Sequence, residues 1–320
     1  MKCLIVDDIH PFLIEQLERA GIFVEYNPEI DKKSAAAVIN NFEILVIRSK
    51  FKVDDLFMEK ATNLLMIARA GAGLDNIELS EEFLSRIQLI HAAEGNADAV
   101  AEHTLGLILG LLSKIAAADR SVRSGNWDRE KFRGLELKDK TVGLLGYGNM
   151  GRAVAIRLKG FGCNVISFDK YITEWPDENA NRVSLETMCA ESDIISIHIP
   201  LTHETKAWIG KDFLKMTKKC PLLINTSRGK IVKLEEVLGE LENGSISGLG
   251  LDVFEDEPPL KKNENIPSKY ERLFSRADVL LSPHIAGWSL ESYEKISIVL
   301  ADKILLHFSQ QKGKFGSFQC

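Results

Sequence analysis

The sequence predicts an α/β protein made of two doubly wound parallel-sheet domains, and three observations carry that expectation. The chain has 320 residues, more than one hydrophobic core usually supports. Short apolar runs alternate with amphipathic stretches in two successive series, the rhythm of parallel strands joined by crossover helices. A glycine-rich turn directly follows the first strand of the second series, as in open sheets that bind nucleotides.

The first series reads as strand 3–6, helix 11–20, strand Phe23–Tyr26, helix 34–40, then strands Ile44–Ile47 and 64–67. Asp7 and Asp8 after the first strand suit a phosphoryl-accepting receiver, which also needs an aspartate after the third strand. Arg48 stands there instead. A long helix from about 98 to 119 is apolar nearly all round and so requires partners on more than one side. Gly106 and Gly110 on it would let another helix approach closely. It reads as an interdomain helix that also contributes to a subunit interface. After a polar bridge, 121–139, the second series places strands at 142–145, 165–168, Ile194–Ile197, Leu222–Asn225, Gly248–Leu251 and Val279–Leu281. A last amphipathic helix, 290–307, comes too late for this sheet and is expected to return to the first domain. The expected domains are therefore a discontinuous substrate-binding domain, 1–97 with 289–320, and an inserted domain, 98–288.

Forty basic residues against 46 acidic ones leave a net charge of −6, with no broad positive field to hold a phosphate backbone. Nucleic acid is not an expected partner. Cys3, Cys163, Cys189, Cys220 and Cys320 are odd in number and widely spaced, without the close pairs of a zinc or redox site. They read as reduced thiols of a cytoplasmic protein. The N-terminal apolar run is too short for a signal peptide. The most apolar segment keeps only ten uncharged residues, 104–113, about half a membrane span. No membrane association is expected. The seven histidines show no ligand spacing, so no metal is expected.

The strand 142–145 runs into Gly146-Tyr147-Gly148-Asn149-Met150-Gly151, followed by a helical stretch. In that setting the first glycine turns the chain, the second lets backbone reach a pyrophosphate, and the third lets helix pack on strand. Unpaired N–H groups at the helix start favour the anionic phosphates. Asp169 lies 18 residues beyond Gly151 (169 − 151), where a carboxylate accepts hydrogen bonds from an adenosine ribose and repels a 2′-phosphate. NAD is thereby favoured over NADP, with neighbouring Lys170 as the counter-indication. This half of the chain reads as a Rossmann domain, and its partner as flavodoxin-like.

Three later segments each follow a strand: 225–229 with Thr226, Ser227 and Arg228, 252–258 with Asp252 and Glu257, and 282–287 with His284 and Gly287. They offer a guanidinium, a carboxylate and an imidazole, the groups that reduction of a 2-oxo acid against a nicotinamide needs. With the glycine fingerprint, 69–76, Gly95-Asn96, Trp127 and His198-Ile199-Pro200-Leu201, they make the chain resemble the D-isomer-specific 2-hydroxyacid dehydrogenase family, in particular its phosphoglycerate dehydrogenase branch. The resemblance implies that Arg228 clamps a substrate carboxylate. It further implies that His284 is the acid/base and that Glu257 orients its ring and favours its protonated form. By the same resemblance Asn149, Met150, Ile199, Pro200, Thr226, Ser227, Asp252 and Gly287 would join Gly146, Gly148, Gly151 and Asp169 around NAD. Asn149 departs from the arginine common in the family, which removes one phosphate-facing cation.

The resemblance places Arg48, Ser49, Arg69, Ala70, Gly71, Ala72 and Arg129 at the substrate. Their cations suit a phosphorylated one, which favours 3-phosphoglycerate and 3-phosphohydroxypyruvate, the first step of serine synthesis. The alternatives are a glycerate, glyoxylate or other 2-oxo acid reductase, and an NAD(H)-sensing binding protein of the corepressor kind. A homodimer is expected. Only 36 residues follow His284 (320 − 284), so the regulatory domain of longer relatives is not expected.

Overall fold

A computed structural model describes residues 1–258 and 266–315. Cys320, read above as a reduced thiol, lies outside the described residues. The chain separates into two compact units, Met1–Asn96 together with the stretch from Trp288 on, and Ala97–Gly287.

The main sheet of the first unit holds five strands, β1 (Lys2–Ile5), β2 (Phe23–Tyr26), β3 (Ile44–Ile47), β4 (Met66–Arg69) and β5 (Gln88–His91), in the order β2-β1-β3-β4-β5, and the short segments Val53–Asp54 and Ile77–Glu78 pair apart from it. All neighbouring pairs run parallel. That order is the flavodoxin-like one. The central strands β1 and β3 are apolar and buried because helices cover both faces. On one face Leu13 and Leu17 of the helix Pro11–Arg19 meet Ile296, Leu300 and Ile304 of the helix Leu290–Phe315. On the other, Ile39, Phe57 and Met58 close the core. The backbone of Ile296 lies so near Gly95 that a Cβ there would come within 2.6 Å of its nitrogen. Only glycine allows that approach.

Two readings shift here. The fourth strand begins two residues later than expected, because the N–H groups of Leu65 and Met66 both bond to the Glu43 carbonyl and the ladder with β3 starts at Met66. Strand β5 was not expected at all. It is an edge strand with no fully buried residue, so it lacks the continuous apolar run that marks its neighbours.

The second unit holds β6 (Thr141–Leu145), β7 (Asn164–Phe168), β8 (Asn181–Arg182), β9 (Ile194–Ile197), β10 (Leu222–Asn225), β11 (Gly248–Leu251) and β12 (Val279–Leu281). Their order is β8-β7-β6-β9-β10-β11-β12, again parallel throughout. This is the doubly wound Rossmann arrangement, with its reversal of strand order between β6 and β9. The two-residue β8 is exposed and left no apolar trace in the sequence.

The helix expected over 98–119 is two helices, Ala97–Leu112 and Ile115–Arg123, bent by 62°. Lys114 takes a left-handed conformation (φ 54°) between them, which ends the first helix. Gly110 faces the Leu280 side chain of β12, and Gly106 faces open space. Within this unit no second helix meets either glycine. Among the described residues no single helix is long and apolar enough to cross a membrane.

Candidate active site

In a parallel sheet every strand ends at the same edge, and the second unit gathers its sequence-predicted groups there. Gly146 leaves β6 with φ 98° and donates its N–H to the Phe168 carbonyl at 2.8 Å. A Cβ on Gly146 would lie 2.8 Å from the His198 carbonyl, and one on Gly151 would lie 2.2 Å from the Gly146 carbonyl. These two glycines are required by the protein itself. Gly148 differs, since nothing lies within 4 Å of where its Cβ would be. It precedes the ten-residue helix Asn149–Leu158 with no side-chain cap, so the first N–H groups of that helix are offered to an anion. Open space at Gly148 over an uncapped helix start fits a dinucleotide's pyrophosphate. Asn149 is exposed there and Met150 half-buried.

Asp169 follows β7 and accepts from the N–H of Tyr147 (2.8 Å), Tyr171 (2.9 Å) and Ile172 (3.1 Å). It therefore braces the glycine loop, and its four lone-pair directions leave one for a ribose hydroxyl. Lys170 is drawn away by Glu204, 2.5 Å distant. Tyr147 is fully buried, stacks on Trp175 and donates to Asp177 at 2.7 Å. Ile199 and Pro200 follow β9, and the Ile199 carbonyl accepts from the Ser227 hydroxyl.

After β10, buried Asn225 shapes the next loop by accepting from Ser227 N–H (2.9 Å) and donating to the Arg228 carbonyl (3.0 Å). Thr226 is tied to Thr104 at 3.0 Å. Half-buried Arg228 donates from Nη1 to the Ser227 carbonyl at 2.8 Å. Gly229 lies against Phe254, whose carbonyl carbon would be 1.8 Å from any Cβ.

Asp252, at the end of β11, is completely buried. Its carboxylate accepts from Ser282 Oγ (2.6 Å), Ile285 N–H (2.9 Å) and Ala286 N–H (2.8 Å), and its carbonyl from His284 N–H (2.7 Å). The role this structure gives it is to anchor the loop that ends in Gly287. Ser282 in turn meets His103 Nε2 at 2.7 Å, a contact 179 residues apart in sequence that no motif announced.

The Nδ1 of His284 lies 2.6 Å from Glu257 Oε2, and Glu257 Oε1 accepts from Phe254 N–H at 2.9 Å. Burial works against a charge on Glu257. The His284 ring, the Phe254 N–H and nearby Arg228 outweigh it and hold the carboxyl below its ordinary range. His284 itself stands at φ 56°, a left-handed backbone that non-glycine residues seldom adopt. With Nδ1 held by a carboxylate, Nε2 is the nitrogen left to exchange a proton.

The remaining sequence-predicted residues, apart from Arg129, belong to the first unit. Arg48 follows β3, its guanidinium 3.8 Å over the Trp288 ring, with exposed Ser49 beside it. Arg69 ends β4. Gly71, at φ 140°, lies so close that a Cβ would come within 1.9 Å of the Arg69 guanidinium. Ala70 is buried, and its N–H bonds to the Ile47 carbonyl at 2.8 Å. Ala72 is half-buried beyond it. Arg129 lies exposed in the polar bridge of the second unit. A cavity of about 800 Å³ in the second unit, lined among others by Phe132, Asp193, Leu222 and Asp278, opens at the opposite, amino end of the sheet. It contains none of these groups, and the chemistry is better located by the polar side chains than by cavity size. Among the described residues no cluster of histidine, cysteine and carboxylate groups could hold a metal.

Half-buried His198 lies 2.9 Å from Ser196 Oγ, and the packing round its ring pushes its pKa down to about 4. An unfolded histidine titrates near 6.5, so between about pH 6.5 and 4 the unfolded chain binds the extra proton. Stability is then full above that range and falls with pH by up to about 1.4 kcal/mol per unit. Thermal midpoints measured from pH 7 to 4.5 are expected to fall less steeply in His198→Gln than in wild type. Parallel curves would remove this group from the account.

Fold and site together define a dinucleotide-binding α/β protein with a carboxylate-held imidazole beside an arginine. A family model described as D-isomer specific 2-hydroxyacid dehydrogenase, NAD binding domain, matches residues 105–286. Over 307 residues the chain is 33% identical to D-3-phosphoglycerate dehydrogenase of Archaeoglobus fulgidus, covering 95% of this chain and 57% of that one. It is 36% identical over 277 residues to hydroxypyruvate reductase of Thermotoga maritima, covering 86% and 88%. The solved structure of D-lactate dehydrogenase from Aquifex aeolicus, complexed with NAD and lactic acid, matches with a TM-score of 0.80 at 27% identity, covering 98% of this chain and 97% of that one. The chain belongs to the D-isomer-specific 2-hydroxyacid dehydrogenase family. It spans little more than half the length of the phosphoglycerate dehydrogenase it matches.

Proposed function

We propose that this chain is an NAD-dependent dehydrogenase of D-2-hydroxy acids, with 3-phosphoglycerate as substrate and 3-phosphohydroxypyruvate as product, a step toward serine. The observation that carries the chemistry is the 2.6 Å pair of Glu257 and His284, on the same sheet edge as Arg228. NAD, when bound at the Gly148 opening, supplies the acceptor for the hydride that leaves C2. Arg228 grips the substrate carboxylate with its fork of donors. His284 Nε2 takes the hydroxyl proton as the hydride departs and returns it in the reverse reaction, so that one hydroxyl becomes a carbonyl with one hydride and one proton accounted for. Glu257 holds the ring in the orientation and tautomer this transfer needs.

Engagement of Lys170 by Glu204 supports NAD over NADP, since the lysine next to Asp169 already has a carboxylate partner. Exposed Ile115, Val122, Trp127 and Leu135, all in or beside the polar bridge, support a homodimer formed through that segment. Unpaired Cys3, Cys163, Cys189 and Cys220 support a reducing, cytoplasmic setting.

Arg48 is the residue on which the phosphate depends. Arg48→Ala is expected to lower kcat/KM for 3-phosphoglycerate by about tenfold to a hundredfold, the range of a charge-assisted contact. Full efficiency in that variant would remove the phosphate assignment. One feature favours a second reading, a reductase of unphosphorylated 2-oxo acids. The N–H groups of Arg48, Ser49 and Lys50 all donate to Asp7 Oδ2, at 2.6, 3.1 and 3.2 Å, and so offer nothing to a phosphate. Relatives that include the hydroxypyruvate reductase suit that reading, and steady-state efficiencies with and without the phosphate separate the two.

A further inference from the structure

The guanidinium of Arg48 is held in an unusual way. Its carbon lies 3.8 Å from the centre of the Trp288 ring, so one face of the planar group is covered. A stack of this kind uses the face and leaves the in-plane N–H donors free. Among the described residues no acceptor takes them, since the only hydrogen bond given by Arg48 is the one from its backbone to Asp7. Half-buried arginines usually spend their donors on carboxylates or carbonyls, because unmet donors away from water are unfavourable.

The surroundings fix this arrangement rather than consume it. Asp7, through its three backbone contacts, pins the loop that carries Arg48. Asp8 stands beside it, but Oδ1 accepts from the hydroxyls of Tyr26 (3.3 Å) and Tyr293 (3.1 Å). Both carboxylates therefore have other hydrogen-bond partners; their charges favour the charged guanidinium, but neither accepts a hydrogen bond from it. Trp288 is 65% exposed and so is not in place to fill a core. A large indole left at the surface over an arginine whose donors are unspent is a platform for that arginine.

We infer that Trp288 is a positioning residue that sets substrate selectivity: it holds the Arg48 fork flat and outward for a second anionic group, carboxylate or phosphate, at the end of the substrate remote from its 2-oxo acid. This rests on the dehydrogenase reading above, and on Arg48 facing the substrate. Trp288 carries no charge and makes no chemistry, so its influence passes through Arg48 alone. An arginine without a platform samples many rotamers, and a fixed one loses less freedom on binding.

The test is a selectivity ratio. Steady-state kcat and KM are measured with NADH for 3-phosphohydroxypyruvate and 2-oxoglutarate, which carry a second anion, and for glyoxylate, which does not. Trp288→Leu is expected to lower the ratio of kcat/KM for the acidic-tailed acids over glyoxylate by on the order of tenfold, through KM rather than kcat. Trp288→Phe, which keeps an aromatic face, is expected to restore most of it. In an Arg48→Ala background, Trp288→Leu is expected to change the ratio by less than about twofold, because residues acting through one another are not additive. A larger fall for phosphohydroxypyruvate than for 2-oxoglutarate identifies the remote group as phosphate, and the reverse identifies carboxylate; either outcome supports the inference. Equal losses on all three acids, no rescue by phenylalanine, or an undiminished effect without Arg48 would overturn it while leaving the dehydrogenase reading intact. If the wild-type protein turns over no 2-oxo acid at all, that reading fails and the inference falls with it.

Discussion

His284→Asn is expected to lower kcat by about two to four orders of magnitude, the range supplied by a positioned acid/base, while the fold and NADH affinity persist. The choice of asparagine follows from the backbone. His284 sits at φ 56°, and asparagine is among the few residues that enter the left-handed region readily. The anchoring of its N–H on the Asp252 carbonyl, 2.7 Å away, is a backbone contact that survives the change. Alanine at this position would add strain to the chemical loss and confuse the two. The result is read by NADH absorbance under saturating substrate, with the thermal midpoint and cofactor titration as controls. A variant retaining more than about a tenth of kcat would mean that His284 is not the group exchanging the proton.

Gly151→Ala is expected to have the largest effect on cofactor binding, and its partner Gly148→Ala shows why. A Cβ on residue 151 would lie 2.2 Å from the Gly146 carbonyl, so the helix Asn149–Leu158 must back away from β6 and open the turn. Overpacking against backbone of this kind destabilises by about 1–3 kcal/mol or more, and NADH affinity should drop by at least about a hundredfold as the helix start leaves its place. A Cβ on residue 148 meets no protein atom within 4 Å. That substitution should leave the thermal midpoint near wild type, and it should still weaken NADH about tenfold or more if a pyrophosphate comes to rest against that backbone. Calorimetric titration with NADH and thermal melts of both variants separate what the glycines do for the fold from what one of them does for the ligand. Unweakened binding in Gly148→Ala would place the cofactor elsewhere.

Much of the protein was legible in its sequence, and the parts that were share a cause. Strands β1, β3, β6, β9, β10 and β11 are buried along most or all of their length, so each left a largely apolar run. The glycine turn was readable because close backbone approach at Gly146 and Gly151 admits one residue type. Strands β5 and β8, at sheet edges and without a fully buried residue, left no apolar run, whereas the edge strand β2 was marked by Phe23, Val24 and Tyr26. The bend at Lys114 also went unseen, since an apolar stretch looks the same whether its helix is continuous or broken.

The sequence by itself determined the α/β class, the series of strands, the glycine fingerprint and the residue types that a hydride-transfer site needs, because each of these depends on neighbours within a few positions along the chain. Only the tertiary structure decided what those residues do to one another: that Asp252 is spent on anchoring the His284 loop, that Glu257 meets Nδ1 and frees Nε2, that Asp7 takes three N–H groups of the Arg48 loop, and that Trp288 lies under its guanidinium. Those contacts join segments from 27 to 240 residues apart (284 − 257 and 288 − 48), and within each unit their geometry comes from parallel strands delivering distant loops to one edge of that unit's sheet, which spacing along a chain does not encode.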